Sequence, residues 1–178
     1  MQDKKRHIFM TGQMRVGKST IIKKITRKLL YKNLNIDGYY TIAVRDEKQI
    51  VGYSICDFDG KQVDFAHIDL KSNLKFDKYY IDPSIFEDVA VAIMVRSLKN
   101  ADILVLDEIG VIEKNSMHFR SKLLGCLDSS LKIIGVYQNR AKWFERVLDS
   151  RSDCKIIQVD RENRDQIHNE ILKEMKIQ

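Results

Sequence analysis

Apolar residues follow two rhythms along this chain, and the changes between them mark out its parts. Ile8-Phe9-Met10, with His7 before it, is a short apolar run. Ile21, Ile22, Ile25, Leu29 and Leu30 then recur at helical spacing. This predicts a buried strand over about 7–11 and an amphipathic helix reaching about Asn33. From Asp37 the rhythm becomes alternation, in segments 37–42, 49–58 and 61–68, separated by polar turns at Asp46-Glu47-Lys48 and Asp59-Gly60. Such a pattern predicts a β-meander with hairpin turns. Residues 69–82 read as irregular, around a Lys78-Tyr79-Tyr80 cluster. Asp82 and Pro83 signal a helix start, because the carboxylate can cap free N–H groups and proline is tolerated in the first turn. Phe86, Val89, Ala90, Ile93, Met94 and Leu98 form the apolar stripe of that helix to about Asn100.

Ile103-Leu104-Val105-Leu106 is a continuous β-prone run, as expected of a central parallel strand covered on both faces. A helix near 116–129, a strand at 132–137, a helix at 141–149, a strand at 155–159 and a last helix over about 163–175 complete the series. Strands alternating with helices predict an α/β fold of three layers with a mainly parallel sheet. The hairpins at 37–68 would form an insertion or edge of that sheet. There is no repeat, linker or low-complexity tract, and the 178 residues suit one domain over 1–178.

The turn between the first strand and the first helix reads Gly12-Gln13-Met14-Arg15-Val16-Gly17-Lys18-Ser19-Thr20. Two glycines five positions apart, followed by Lys-Ser, describe a loop whose backbone N–H groups wrap nucleotide phosphates. Lys18 would reach the outer phosphates and the Ser19 hydroxyl a Mg²⁺ ion. The phosphate would then rest on a helix N-terminus, where free N–H groups and the dipole favour an anion.

A partner for this loop lies downstream. The strand at 103–106 ends in Asp107-Glu108, and paired carboxylates there are costly unless they serve an ion or a reaction. Asp107 is expected to hold Mg²⁺ beside Ser19, directly or through water. Glu108 is expected to orient or deprotonate an attacking water, with Lys18 as the other catalytic group.

These residues also carry a resemblance. Asp107-Glu108-Ile109-Gly110-Val111-Ile112-Glu113, with Ser116 and Phe119 after it, resembles the "DEIGKMEL…S…F" segment of a family of small P-loop nucleoside-triphosphatases. These are bacterial and archaeal relatives of human cancer-related nucleoside-triphosphatase. Gly38-Tyr39-Tyr40-Thr41 with Val44-Arg45, Val51-Gly52-Tyr53, Lys78-Tyr79 with Asp82, and Asn163-Arg164-Asp165 are similar to further family segments, in order along nearly the whole chain. The resemblance implies a RecA-like or kinase-like P-loop domain. It also implies slow, Mg²⁺-dependent hydrolysis of ATP, GTP and other nucleoside triphosphates with loose base selectivity. Residues 104–111 would line the nucleotide site together with 12–19. Three departures stand out: Met14-Arg15 replaces the family's Pro-Gly, Ile42-Ala43 stands where an acidic residue is expected, and Val111 replaces a lysine.

Composition adds less. Hydrophobic residues at 44% and charged residues at 31% predict a soluble globular chain rather than a disordered one. No apolar run approaches the roughly 20 residues of a membrane helix. Lys4-Lys5-Arg6 ahead of so short an apolar run does not read as a signal peptide. Cys56, Cys126 and Cys154 have no metal or disulfide spacing and fit a reducing cytoplasm. The net charge of +6 gathers at residues 4–6 and at Lys23, Lys24, Arg27, Lys28 and Lys32. Such a surface reads mainly as a solvated helix face, with weak nucleic-acid binding as its functional alternative. No aromatic residues are interleaved there for base stacking.

Lesser candidates keep two readings each. Gln138 and Asn139 read as sensors of the terminal phosphate or as a helix cap before Ala141. Arg45 and Arg164 read as donors to phosphate or base, or as surface salt bridges; Arg164 is counted among the nucleotide contacts. Glu113 reads as a solvated loop acid or as a group supporting the site, and Trp143 as a core or partly buried helix residue. His7, His67, His118 and His168 share no ligand spacing. The leading function is a nucleoside-triphosphate phosphohydrolase. A phosphotransferase in which Glu108 deprotonates an acceptor hydroxyl is the alternative, although residues 69–82 contain no arginine for a lid. A nucleotide-dependent switch that binds a partner or RNA is a third reading.

Overall fold

The computed structural model describes residues 5–177, so Lys4 lies outside the described residues. The order is β1 (His7–Gly12), α1 (Lys18–Leu30), β2 (Ile36–Asp46), β3 (Gln49–Asp57), β4 (Gln62–His67), β5 (Leu74–Phe76), β6 (Tyr79–Ile81), α2 (Pro83–Asn100) and β7 (Ile103–Ile109). A 3₁₀ turn (Ile112–Asn115), α3 (Met117–Asp128), β8 (Lys132–Tyr137), α4 (Lys142–Asp149), β9 (Cys154–Val159) and α5 (Ile167–Glu174) follow.

Among the described residues, nine strands form one sheet in the order β5-β6-β4-β3-β2-β7-β8-β1-β9. Strands β2, β7, β8, β1 and β9 run parallel, with Leu104 opposite Ile133 and Ile8 opposite Ile134. Beyond β2 the sheet continues as an antiparallel meander, as the alternation foretold, but β2 itself joins the parallel strands and the outer edge is formed by β6 and β5 rather than by the 37–68 hairpins.

Side chains of the parallel strands divide by parity, except where the β7 register shifts between Asp107 and Ile109 and Ile109 joins the face of Leu104 and Leu106. Phe9, Leu104, Leu106, Ile133 and Tyr137 pack with α2, α3 and α4. Ile8, Met10, Ile103, Val105, Ile134 and Val136 pack with α1 and α5 on the other face. Two covered faces explain why β1 and β7 read as unbroken apolar runs.

Four details differ from the sequence reading. Residues 74–81 form a hairpin, not an irregular stretch; its β5 strand is only three residues long and exposed throughout, so it leaves no alternation to read. Helix α1 ends at Leu30, and Asn33 turns into the left-handed region at φ 53°. Strand β7 runs on through Asp107 and Glu108 to Ile109. The last helix starts at Ile167, because Asp160 Oδ1 accepts from the N–H groups of Glu162 and Asn163, each at 2.9 Å. Such local side-chain bonds compete with helix formation.

Much of the basic excess lies away from the phosphate loop. Lys5 Nζ donates to Ser152 O and Arg6 to Ser129 O, at the start of β1, while Arg27 and Lys28 lie in the last turn of α1. Both places are at the end of the sheet opposite Gly12.

Candidate active site

Parallel pairing brings the C-terminal ends of β1, β7 and β8 side by side. Strand β1 ends in Gly12, whose φ of 147° is rarely adopted by L side chains; a Cβ there would lie 2.4 Å from Val159 O. Gly17, at φ 118°, is the N-cap of α1. That helix start has no side-chain cap and no acidic residue in its first turn, so its free N–H groups are left to an external anion. Val16 anchors the loop by burying its side chain, whereas Gln13, Met14 and Arg15 are exposed. Arg15 sits at φ 62°. It thus adopts the left-handed conformation at the position where the resembling loops carry glycine.

Lys18 Nζ donates to Gly12 O and Gln13 O, each at 2.9 Å. The ammonium is therefore held in the mouth of the loop by two carbonyls. Burial lowers its pKa, and the charges of Glu108 and Asp107 oppose that shift. The Ser19 side chain faces the Asp107 carboxylate and favours its charged form. Asp107 is only 2% exposed. Burial, with some help from Glu108, pushes its carboxyl up to about 6 against the pull of Ser19, Lys18 and Lys23. The Asp107–Glu108 peptide is cis, and Thr41 Oγ1 donates to Asp107 O at 3.2 Å.

Glu108 has its own partner. Gln138 Nε2, just past β8, donates to Glu108 Oε1 at 2.6 Å. The helix-cap reading of Gln138 and Asn139 fails, since α4 has Ala141 as its N-cap and no side-chain cap bond. Asn139 instead ties the strands together: its Oδ1 accepts from the Thr11 hydroxyl and, at 3.2 Å, from Gly12 N–H.

Of the two readings of Glu113, the solvated loop acid fails and the supporting group holds: it is 5% exposed, and its Oε2 accepts from Gly110 N–H at 2.9 Å. Burial pushes its carboxyl up to about 7. On the other side of the same residue, Trp143 Nε1 donates to Gly110 O at 3.0 Å. The segment directly after Glu108 is thus gripped from both sides.

Three other placements matter. Arg164 is exposed, and a Cβ placed on Gly17 would lie 3.8 Å from its Cδ, so its stem runs past the loop. Arg45 instead pairs with Ile50 on the part of β2 beyond Tyr40, the last residue paired with β7, and its side chain makes no hydrogen bond or ion pair among the described residues. Tyr53, unremarked as a site residue in the sequence, packs edge-on against Tyr79 at 5.3 Å and feels the charges of Glu108 and Arg15. The meander therefore walls one side of the site.

A polyanion suits this arrangement: free N–H groups, a desolvated lysine and a helix start face one space. The donor set also fits Mg²⁺. Ser19 and Asp107 offer hard oxygen ligands, and a Mg²⁺ ion takes its remaining ligands from phosphate and water. Among the described residues no group of three or more His, Cys, Asp or Glu could form an all-protein metal cage.

Comparison with known proteins agrees with this picture. A family model described as NTPase matches residues 7–172. Nucleoside-triphosphatase THEP1 of Thermotoga maritima is 32% identical over 169 residues, which cover 95% of each chain. Human cancer-related nucleoside-triphosphatase is 28% identical, over 94% of this chain and 95% of its own. The crystal structure of THEP1 from Aquifex aeolicus superposes with a TM-score of 0.81 at 25% identity, covering 96% of this chain and 99% of that one. The solution structure of the human protein gives 0.80 at 26% identity, over 94% and 96% of the two chains.

Proposed function

This chain belongs to the nucleoside-triphosphatase family, and from that premise we propose that it hydrolyses nucleoside 5′-triphosphates to the diphosphate and inorganic phosphate. One observation carries the reading: Lys18, the Ser19–Asp107 pair and a Glu108 already held by Gln138 meet at the ends of β1, β7 and β8.

In this reading residues 12–20 wrap the phosphates. The loop N–H groups bind their oxygens, and Lys18 exchanges the carbonyls of Gly12 and Gln13 for the outer phosphates. Ser19 and Asp107 would hold Mg²⁺, which when bound would supply charge neutralisation on the phosphate oxygens. Glu108 takes a proton from water as the water oxygen bonds to the γ-phosphorus. The bond from that phosphorus to the β–γ bridging oxygen breaks, and the diphosphate leaves with the bridging oxygen. Catalysis then rests on positioning and charge, not on a covalent intermediate. Arg164 lies beside the loop, where its planar cation can rest against phosphate or base.

Loose base selectivity follows from where the recognition sits. Every contact argued above, Arg164 aside, addresses phosphate, which all nucleoside triphosphates share. Turnover is slow in this reading, below the roughly 1–10³ s⁻¹ typical of enzymes. Three free thiols and the lack of any helix long and apolar enough to cross a membrane among the described residues support work in a reducing cytoplasm.

Purified protein with γ-labelled ATP, GTP, CTP or UTP tests the reading. We expect Mg²⁺-dependent release of labelled phosphate from all four without any acceptor. Label moving to an added nucleoside, nucleotide, sugar or RNA end much faster than to free phosphate would replace hydrolysis with phosphotransfer.

A further inference from the structure

Gly110 carries no side chain, and a particular neighbour uses the space. The three heavy atoms nearest to a Cβ built there all belong to the Gln138 amide: Oε1 at 2.9 Å, with Cδ and Nε2 at 3.0 Å. The amide lies against the Gly110 Cα while its Nε2 reaches Glu108 Oε1 at 2.6 Å. The backbones on both sides are fixed. Gly110 is held by Glu113 and Trp143, and Trp143 in turn lies beneath Arg120 at 5.4 Å. Gln138 N–H donates to Ile109 O at 2.9 Å, and Gln138 O accepts from Ala141 N–H at 2.8 Å. Only the amide end of Gln138 is free to yield.

We propose that Gln138 is the positioning residue for Glu108, and that Gly110 is a glycine because any side chain there would push the amide off the carboxylate. The proposal rests on the reading of Glu108 as the base. A carboxylate at a strand end can rotate, and a donor on one oxygen fixes its plane and leaves the other oxygen to accept a proton. Hydrogen bonds to a charged group are among the stronger ones in proteins. Gly110 needs no left-handed backbone, so alanine is compatible with its conformation. Its cost falls on the movable amide and not on the fold.

The two substitutions therefore act on one contact. Gly110→Ala and Gln138→Ala should each lower kcat about 10- to 100-fold, the span for losing a hydrogen bond to a charged group. KM for Mg·ATP and the affinity of a non-hydrolysable analogue should stay within about twofold. The double variant should be no slower than Gln138→Ala alone, because the alanine at 110 then has nothing to displace. Additive losses, or full kcat in Gln138→Ala, overturn the proposal. So does a loss confined to affinity, which would make Gln138 a phosphate contact.

A second measurement does not depend on turnover. The side-chain amide resonance of Gln138 in ¹⁵N NMR should shift both in Glu108→Ala and in Gly110→Ala. A resonance unmoved in both removes the contact, whether or not the wild type hydrolyses ATP. A wild type that releases no phosphate while the resonance does move refutes the hydrolase reading and retains the coupling.

Discussion

Glu108→Gln should release phosphate about 10²–10⁴-fold more slowly than the wild type, the range for losing a general base. Its affinity for Mg·ATP should barely change. The substitution keeps the side chain's shape, and the new amide oxygen can still accept from Gln138 Nε2, now 2.6 Å from Glu108 Oε1. What is lost is the capacity to hold a proton. Nucleotide binding depends on the loop and Lys18, which this change leaves alone. Steady-state phosphate release and calorimetry with a non-hydrolysable analogue separate the two effects. If the variant matches the wild-type rate, the base is another group. Glu113 is then a poor substitute, since its carboxylate is buried and occupied by Gly110 N–H.

Lys18→Ala should act on binding instead. Its ammonium sits in the loop on Gly12 O and Gln13 O, beside the space that the phosphates would enter. Removing it takes away a charge-assisted contact and leaves the loop N–H groups alone to hold the triphosphate. Affinity for the analogue should fall by at least about 100-fold, the upper end for one hydrogen bond to a charged group. The fold should persist, because Lys18 donates only to loop carbonyls while Val16 and Ile21 keep the loop anchored in the core. Unchanged affinity would mean that the anion binds elsewhere.

Much of this architecture is legible in the sequence because the sheet imposes its own period. Ile103 and Val105 must face α1 and α5 while Leu104 and Leu106 face α2 and α3, so the strand reads as an unbroken apolar run. The phosphate loop is legible for a different reason: Gly12 and Gly17 answer local backbone demands, with φ values of 147° and 118°. Arg15 shows the limit of that logic, since it holds a glycine-like φ of 62° without being glycine. The β5–β6 hairpin escapes notice because Leu74, Lys75 and Phe76 are all exposed and too few to alternate.

The support around Glu108 is the part that sequence could not supply. Gln138 lies 30 residues from its partner, and only the β7–β8 register brings them together. Glu113 looks like a polar residue in a loop until the 3₁₀ turn at Ile112–Asn115 folds it back under Gly110. Gln138 and Glu113 stand out as candidates without their partners; a further hint is Gly110, a glycine that directly follows a strand end and does not need a left-handed backbone. A glycine without a conformational reason points to a close neighbour.

The central claim is that water is the acceptor and the γ-phosphorus its target. Single-turnover hydrolysis of Mg·ATP in ¹⁸O-enriched water, with the products analysed by mass spectrometry, tests it directly. The mechanism at Glu108 predicts one solvent oxygen in each inorganic phosphate released and none in the ADP. Solvent oxygen in the ADP, or phosphate released without any, would contradict it.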